Sequence, residues 1–178
     1  MKITGKNINL RLVELEDAEF MVNLRADRKN KFLTKVDVEN QRNWLIDYKV
    51  REARKTEYYF IICNKDDEPC GAVRIYDFIG DSFCWGSWLL SSDAPATAGI
   101  ESALLVYEFA FYFLKFKHCH FDVRIENTKV RAFHERMGAT IIKSDELDVY
   151  YELPLSQYES IKKKYLKYLP AQVLYEHF

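Results

Sequence analysis

The chain has 178 residues, of which 48% are apolar and 30% charged, and a net charge of −1. That length supports one domain with a core that needs no cross-links, and the composition excludes a disordered tail. A charge near zero supplies no field to hold nucleic acid or an anionic membrane against the whole surface, and the most apolar stretch, 103–116, is too short to span a bilayer and is interrupted by Glu108.

In chain order, Ile8, Leu10 and Leu12 alternate with polar neighbours and predict a first strand. Asp17 is placed to cap a short helix carrying Ala18, Met21 and Arg25. After a charged loop, Asp37 starts a second helix whose Val38, Gln41, Trp44, Leu45 and Tyr48 recur at helical spacing. Three antiparallel strands are expected at 58–63, 70–77 and 83–90, separated by turns at 64–67 and Gly80-Asp81. A buried helix should follow Gly99 to about Phe116, then an alternating strand at 118–124. Asn127 should cap a helix over 128–137 that Gly138 ends. Strands at 140–143 and 148–153 and a last helix at 156–168 complete the order. We read a single mixed α+β domain over 1–178, with a C-terminal helix and tail from about 156.

The N-terminal residues lack the apolar stretch of a signal peptide. The four cysteines (Cys63, Cys70, Cys84, Cys119) form no C-x-x-C pair. Both features read as a cytoplasmic protein with reduced thiols. His118-Cys119-His120 imitates a metal cluster in print, but on a strand the two histidines face one side and the cysteine the other, so no metal is expected.

Two segments can carry chemistry. Pro95-Ala96-Thr97-Ala98-Gly99-Ile100 enters the long helix, where unpaired amides and the helix dipole suit a diphosphate; a plain turn is the other reading. Glu101 must point away from any phosphate held there. In the helix after Asn127, Val130, Phe133 and Met137 share an inward face, with His134 at its edge. With an unperturbed pKa near 6.5, His134 is either a proton donor or a half-buried structural residue. Trp85, Trp88 and Tyr150 can line a pocket for a sugar or base ring. Arg25 either binds a phosphate or forms a surface salt bridge.

These two segments, in this order, resemble the GNAT acetyltransferase superfamily. The stretch Glu126-Asn127-Thr128-Lys129-Val130-Arg131-Ala132-Phe133-His134-Glu135-Arg136-Met137-Gly138-Ala139 is similar to that family's E-N-x-x-A-x-x-x-Y-x-x-x-G-F pattern, with His134 at the tyrosine position. In the family's Q/R-x-x-G-x-G/A loop only Gly99 is kept, since Ala96 and Glu101 replace its other members. The run Leu24-Arg25-Ala26-Asp27 with Lys31-Phe32-Leu33, the helix around Trp44, and Asp148-Val149-Tyr150-Tyr151 are similar to the amino-sugar acetyltransferases of pseudaminic acid synthesis. Trp85-Gly86-Ser87-Trp88-Leu89 resembles a strand of ribosomal-protein N-terminal acetyltransferases.

The resemblance implies a strongly bent central sheet flanked by helices, and acetyl transfer from acetyl-CoA to a primary amine. The favoured acceptor is a nucleotide-linked dideoxy amino sugar, as in cell-surface polysaccharide biosynthesis. Protein N-termini and a non-catalytic acyl-CoA-binding module are the alternatives. It implies coenzyme contacts from Leu89, Leu90, Ala96, Thr97, Ala98, Gly99, Ile100 and Asn127, substrate contacts from Arg25, Trp88 and Tyr150, and His134 as the acid. A monomer or homodimer working on a small molecule, without nucleic acid or membrane, is expected.

Overall fold

The structure, a computed structural model, describes residues 1–26 and 37–176. Its strands are β1 (Lys2–Thr4), β2 (Asn9–Leu12), β3 (Tyr58–Cys63), β4 (Pro69–Ile79), β5 (Ser82–Leu90), β6 (His118–Arg124), β7 (Thr140–Ser144), β8 (Asp148–Pro154) and β9 (Leu174–Glu176). Its α-helices are α1 (Ala18–Ala26), α2 (Val38–Ala53), α3 (Ala98–Glu108), α4 (Thr128–Arg136) and α5 (Leu155–Tyr165). The strands form one sheet in the order β7-β8-β6-β5-β4-β3-β2-β1-β9. All pairings are antiparallel except that of β5 with β6.

Every residue of β3 is buried, which its unbroken run of aromatic and β-branched side chains requires of a strand covered on both faces. On one face α1 and α2 cover Tyr59, Ile61, Cys63, Ala72 and Leu89. The other face packs on α3, whose residues from Glu101 to Glu108 are all buried. Along β6 the alternation is strict: Cys119, Phe121 and Val123 face the α3 side.

Several expectations change. The three-residue strands β1 and β9 pair with each other at the sheet edge and were not expected, because so short an element carries no periodic signal. Asp17 does not start α1 as a cap; it ends a 3₁₀ turn, accepts the Glu14 amide at 2.8 Å and forms a two-pronged pair with Arg11 at 2.7 Å. Asp37 does cap α2, accepting the Asn40 amide at 2.8 Å. The long helix turns π-helical over Phe109–Phe113 instead of continuing as α. Asn127 precedes α4 but makes no side-chain cap bond. Asp27, Lys31, Phe32 and Leu33 lie outside the described residues.

Glu101 is fully buried and points away from the start of α3. Its carboxylate accepts the Asn7 amide at 2.7 Å, the Asn7 side chain at 2.9 Å and the Ile8 amide at 3.3 Å. It thereby ties α3 to the turn between β1 and β2. Gly5 makes this possible: a Cβ there would lie 2.6 Å from Glu101 Oε1 and 2.6 Å from the Ile8 carbonyl. Truncation by Glu101→Ala strands two backbone donors, and hydrogen bonds to charged groups count for more than neutral ones, so the loss should be about 3 kcal/mol. Urea unfolding at pH 7 measures it; a loss below about 1 kcal/mol would mean that the carboxylate does not hold the turn.

Candidate functional site

Strands β5 and β6 pair at only two positions, Ser82 with His118 and Phe83 with Cys119, and then part. The gap becomes a cleft of about 430 Å³, walled by residues 85–89 of β5, 121–124 of β6, and Asn127, Lys129, Val130, His134 and Asp148. Its shape owes much to a bulge in β5. Between the Ala72–Leu89 and Arg74–Gly86 pairs, β5 has two intervening residues where β4 has one, and Ser87 takes a left-handed φ of 46°. On a regular strand Trp85 and Trp88 would face opposite ways; the extra residue turns both to the α3 side. Trp85 Nε1 donates to Tyr107 at 3.2 Å, and Trp88 Nε1 donates to Ser102 at 3.0 Å.

Trp88 leads the cleft toward the N-terminus of α3, where Trp88 Cζ2 lies 3.8 Å from the position of a Cβ on Gly99. At that terminus the Ala98 amide donates to the Pro95 carbonyl at 2.8 Å, and the first helical bond runs from Glu101 N to Thr97 O at 2.9 Å. Ala98 therefore has no amide to offer a ligand, contrary to expectation. Among the described residues, the Gly99 and Ile100 amides have no such partner, and Thr97 makes no side-chain cap bond. With Glu101 turned into the core, the helix end keeps its positive character.

His134 differs from the sequence reading in place and charge. It is the buried residue of α4, not one at the edge of the apolar face, with only 5% of its surface exposed. Phe121 lies 4.2 Å away between ring centroids, Trp85 5.2 Å and Phe133 5.6 Å. Its Nδ1 has no hydrogen-bond partner. Desolvation by this aromatic cage disfavours the imidazolium and brings the pKa down to about 4. At neutral pH the ring is uncharged, so it is not the imidazolium acid of the sequence reading and keeps a single N–H to donate.

The remaining candidates separate. Leu89, Trp88 and Asn127 line the cleft, and Leu90 lies at the end of β5 beside Gly99. Arg25 sits on the α1–α2 face outside the cleft wall; among the described residues it donates to Gln41 Oε1, and its charge bears on the Tyr59 hydroxyl. Tyr150 is not part of the cleft wall. Its hydroxyl donates to Asp145 at 2.8 Å, and Lys143 Nζ is 4.3 Å from its ring, because β8 lies one strand beyond the gap and alternation turns Tyr150 away from buried Tyr151. His118 and His120 share a face as expected; the first meets Glu152 at 2.9 Å, and the second bridges Ser82 and Asp77 at 2.6 and 3.2 Å. Sequence reasoning missed Ser87 and Asp122. The alternation of Cys119, Phe121 and Val123 already put Asp122 on the opposite face, but only the parting of β5 from β6 puts it in a cleft.

The chain matches the acetyltransferase (GNAT) domain over residues 7–140. Among solved structures it is similar to apo FdhC, a nucleotide-linked sugar GNAT, at 44% identity, 96% coverage of this chain, 99% of that one, and a TM-score of 0.89. It is also similar to a GCN5-related N-acetyltransferase from Brucella melitensis, at 13% identity, 96% and 86% coverage, and a TM-score of 0.77. A candidate ribosomal-protein-serine acetyltransferase from Vibrio cholerae gives 16% identity, 86% and 97% coverage, and a TM-score of 0.74. The last two likenesses show the fold alone. No curated protein matches the sequence.

Proposed function

Because the chain belongs to the GNAT acetyltransferase family, we propose that it moves the acetyl group of acetyl-CoA to the amine of a nucleotide-linked amino sugar. The observation that carries the choice of acceptor is the 44% identity, over nearly the whole of both chains, to a nucleotide-linked sugar GNAT. The protein N-terminal alternative has only fold-level likeness behind it.

The residues present fit acetyl-CoA. Unpaired amides of Gly99 and Ile100 at the positive end of α3 suit its diphosphate, with the Thr97 hydroxyl beside them. From there the passage beside Trp88 leads to the gap between β5 and β6, where an extended pantetheine arm can add alongside a strand edge. Asn127, with its side chain uncommitted to a cap, lines that gap. The coenzyme supplies an activated thioester. The chain's share of the work is to orient it, to polarise its carbonyl from the bulged end of β5 near Leu89 and Leu90, and to receive charge. In this reading Arg25, on the α1–α2 face outside the cleft wall, would exchange its Gln41 contact for a substrate phosphate.

His134 acts in its neutral form. With Nδ1 shut in by aromatic rings, its other ring nitrogen is left to donate a hydrogen bond toward the departing sulfur. A thiol's ordinary pKa near 8.5 lets sulfur leave with that bond alone. The test is thiol release from acetyl-CoA with a panel of UDP- and dTDP-linked amino sugars. Turnover on sugars is expected; turnover confined to N-terminal peptides would transfer the activity to proteins, and acetyl-CoA binding with no turnover on any amine would make the fold a sensor. In the same assay His134→Ala should lower kcat about tenfold, one hydrogen bond's worth of about 1.4 kcal/mol. Its acetyl-CoA affinity should stay near wild type; an unchanged kcat removes the ring from the reaction.

A further inference from the structure

Amide formation removes a proton from nitrogen, and none of the groups assigned so far receives it. We propose that Asp122 is the general base that takes this proton, an inference that rests on the acetyl-transfer reading. Phe121 and Val123 face the α3 side of the sheet, where Phe121 packs on His134, so Asp122 between them faces the other way. It still lines the cleft, because β5 has already left β6 at that level. The thioester would lie between the strands, with His134 on one face and the Asp122 carboxylate on the other. Beside it Gly86 brings no side chain and the Tyr76 ring packs over it, its hydroxyl 3.1 Å from where a Cβ would stand. The amine would approach on this face, which also carries Arg25 and Tyr59.

Among the cleft's ionisable groups no other serves as well. Asp148 is held by Arg124 at 3.2 Å, Lys129 is a cation, and His134 is too weak a base in its cage. Among the described residues the Asp122 carboxylate has no side-chain hydrogen bond or ion pair. Its charged surroundings are Asp148 and Asp145 from the β7–β8 hairpin and Arg124 on its own strand; Tyr150, Tyr76 and Cys84 are the neutral groups that feel its charge. Desolvation first, and then Asp148, raise the Asp122 pKa from its ordinary value, which strengthens it as a base.

The step balances without a further reagent. The neutral amine forms the N–C bond as the C–S bond breaks, the nitrogen's proton passes to the Asp122 carboxylate and then to water at the open mouth, and the sulfur takes a proton from solvent as the thiol leaves. Activity should fall as pH drops through the raised Asp122 pKa, since the protonated carboxyl cannot accept.

The experiment compares full-length wild type, Asp122→Asn and Asp122→Glu by thiol release from acetyl-CoA. The acceptors are UDP- and dTDP-linked amino sugars, free amino sugars, spermidine and an N-terminal peptide. For the amine that the wild type uses, Asp122→Asn should lose about 100-fold in kcat at pH 7. Its KM and its calorimetric acetyl-CoA affinity should stay within twofold, the deficit should shrink as pH rises, and Asp122→Glu should recover much of the rate. A kcat within threefold of wild type, a loss confined to KM or coenzyme affinity, or an unaltered pH profile overturns the assignment. If the peptide or spermidine is the amine used, the sugar reading fails while the role of Asp122 is still decided on that amine. If no amine is acetylated although acetyl-CoA binds, both fall.

Discussion

Replacing Gly99 by alanine should weaken acetyl-CoA binding about 30-fold, which is about 2 kcal/mol, and leave the protein as stable as before or slightly more so. The free protein gives no reason for a glycine here. Gly99 has no left-handed φ, and an added Cβ would meet Leu90 Cδ1 at 3.6 Å and Trp88 Cζ2 at 3.8 Å, both ordinary contacts. Inside the first turn of α3, alanine should even stabilise the helix, by up to about 1 kcal/mol. A residue that stability disfavours and that sits where helix amides are unpaired is best explained by a ligand whose oxygens approach the backbone closely. The methyl would occupy the passage between Trp88 and α3. Calorimetric titration with acetyl-CoA and urea unfolding of the same variant give the two readouts. Opposite signs carry the assignment; unchanged affinity would show that the diphosphate lies elsewhere, and matched losses would reduce Gly99 to a packing residue.

The same site shows how far sequence alone reaches. Periodicity located β6 and α4, an unbroken apolar run located β3, and Asp37 was legible as a cap because one side chain and one amide suffice. Gly99 and the E-N motif were legible as the two segments from which the proposed site is built. What could not be read depends on contacts distant in sequence. The bulge puts its left-handed residue at Ser87 and not at the neighbouring Gly86, so Trp85 and Trp88 share a face that simple alternation denies them. Glu101 looked like a threat to phosphate binding only because its partners, Asn7 and Ile8, lie more than 90 residues away. Asp122 carried no signal of its own, since two strands must part before it borders a cavity.

His134 adds a cost that the fold carries for the site, and acid should expose it. Its folded pKa of about 4 lies below the unfolded value near 6.5. Between those values the unfolded chain binds a proton that the folded one refuses, so stability falls as pH drops from about 6.5 and the loss is complete below about 4. Over the whole window it amounts to about 3 kcal/mol, since each pH unit between the two values is worth about 1.36 kcal/mol. That is a large fraction of a domain's usual stability of roughly 5–15 kcal/mol. Carboxylates in general also take up protons toward the acid end of that window, so the wild-type slope alone is uninformative. The informative quantity is the difference between wild type and His134→Leu. Leucine removes the titration and suits a cage formed by Phe121, Trp85 and Phe133. Urea unfolding at pH 7 and pH 4.5 should show wild type losing about 2.5 kcal/mol more than the variant. Equal losses in the two proteins would mean that the ring already finds a partner or water in solution. The neutral, singly donating imidazole assigned to catalysis would then have to be replaced by a charged one.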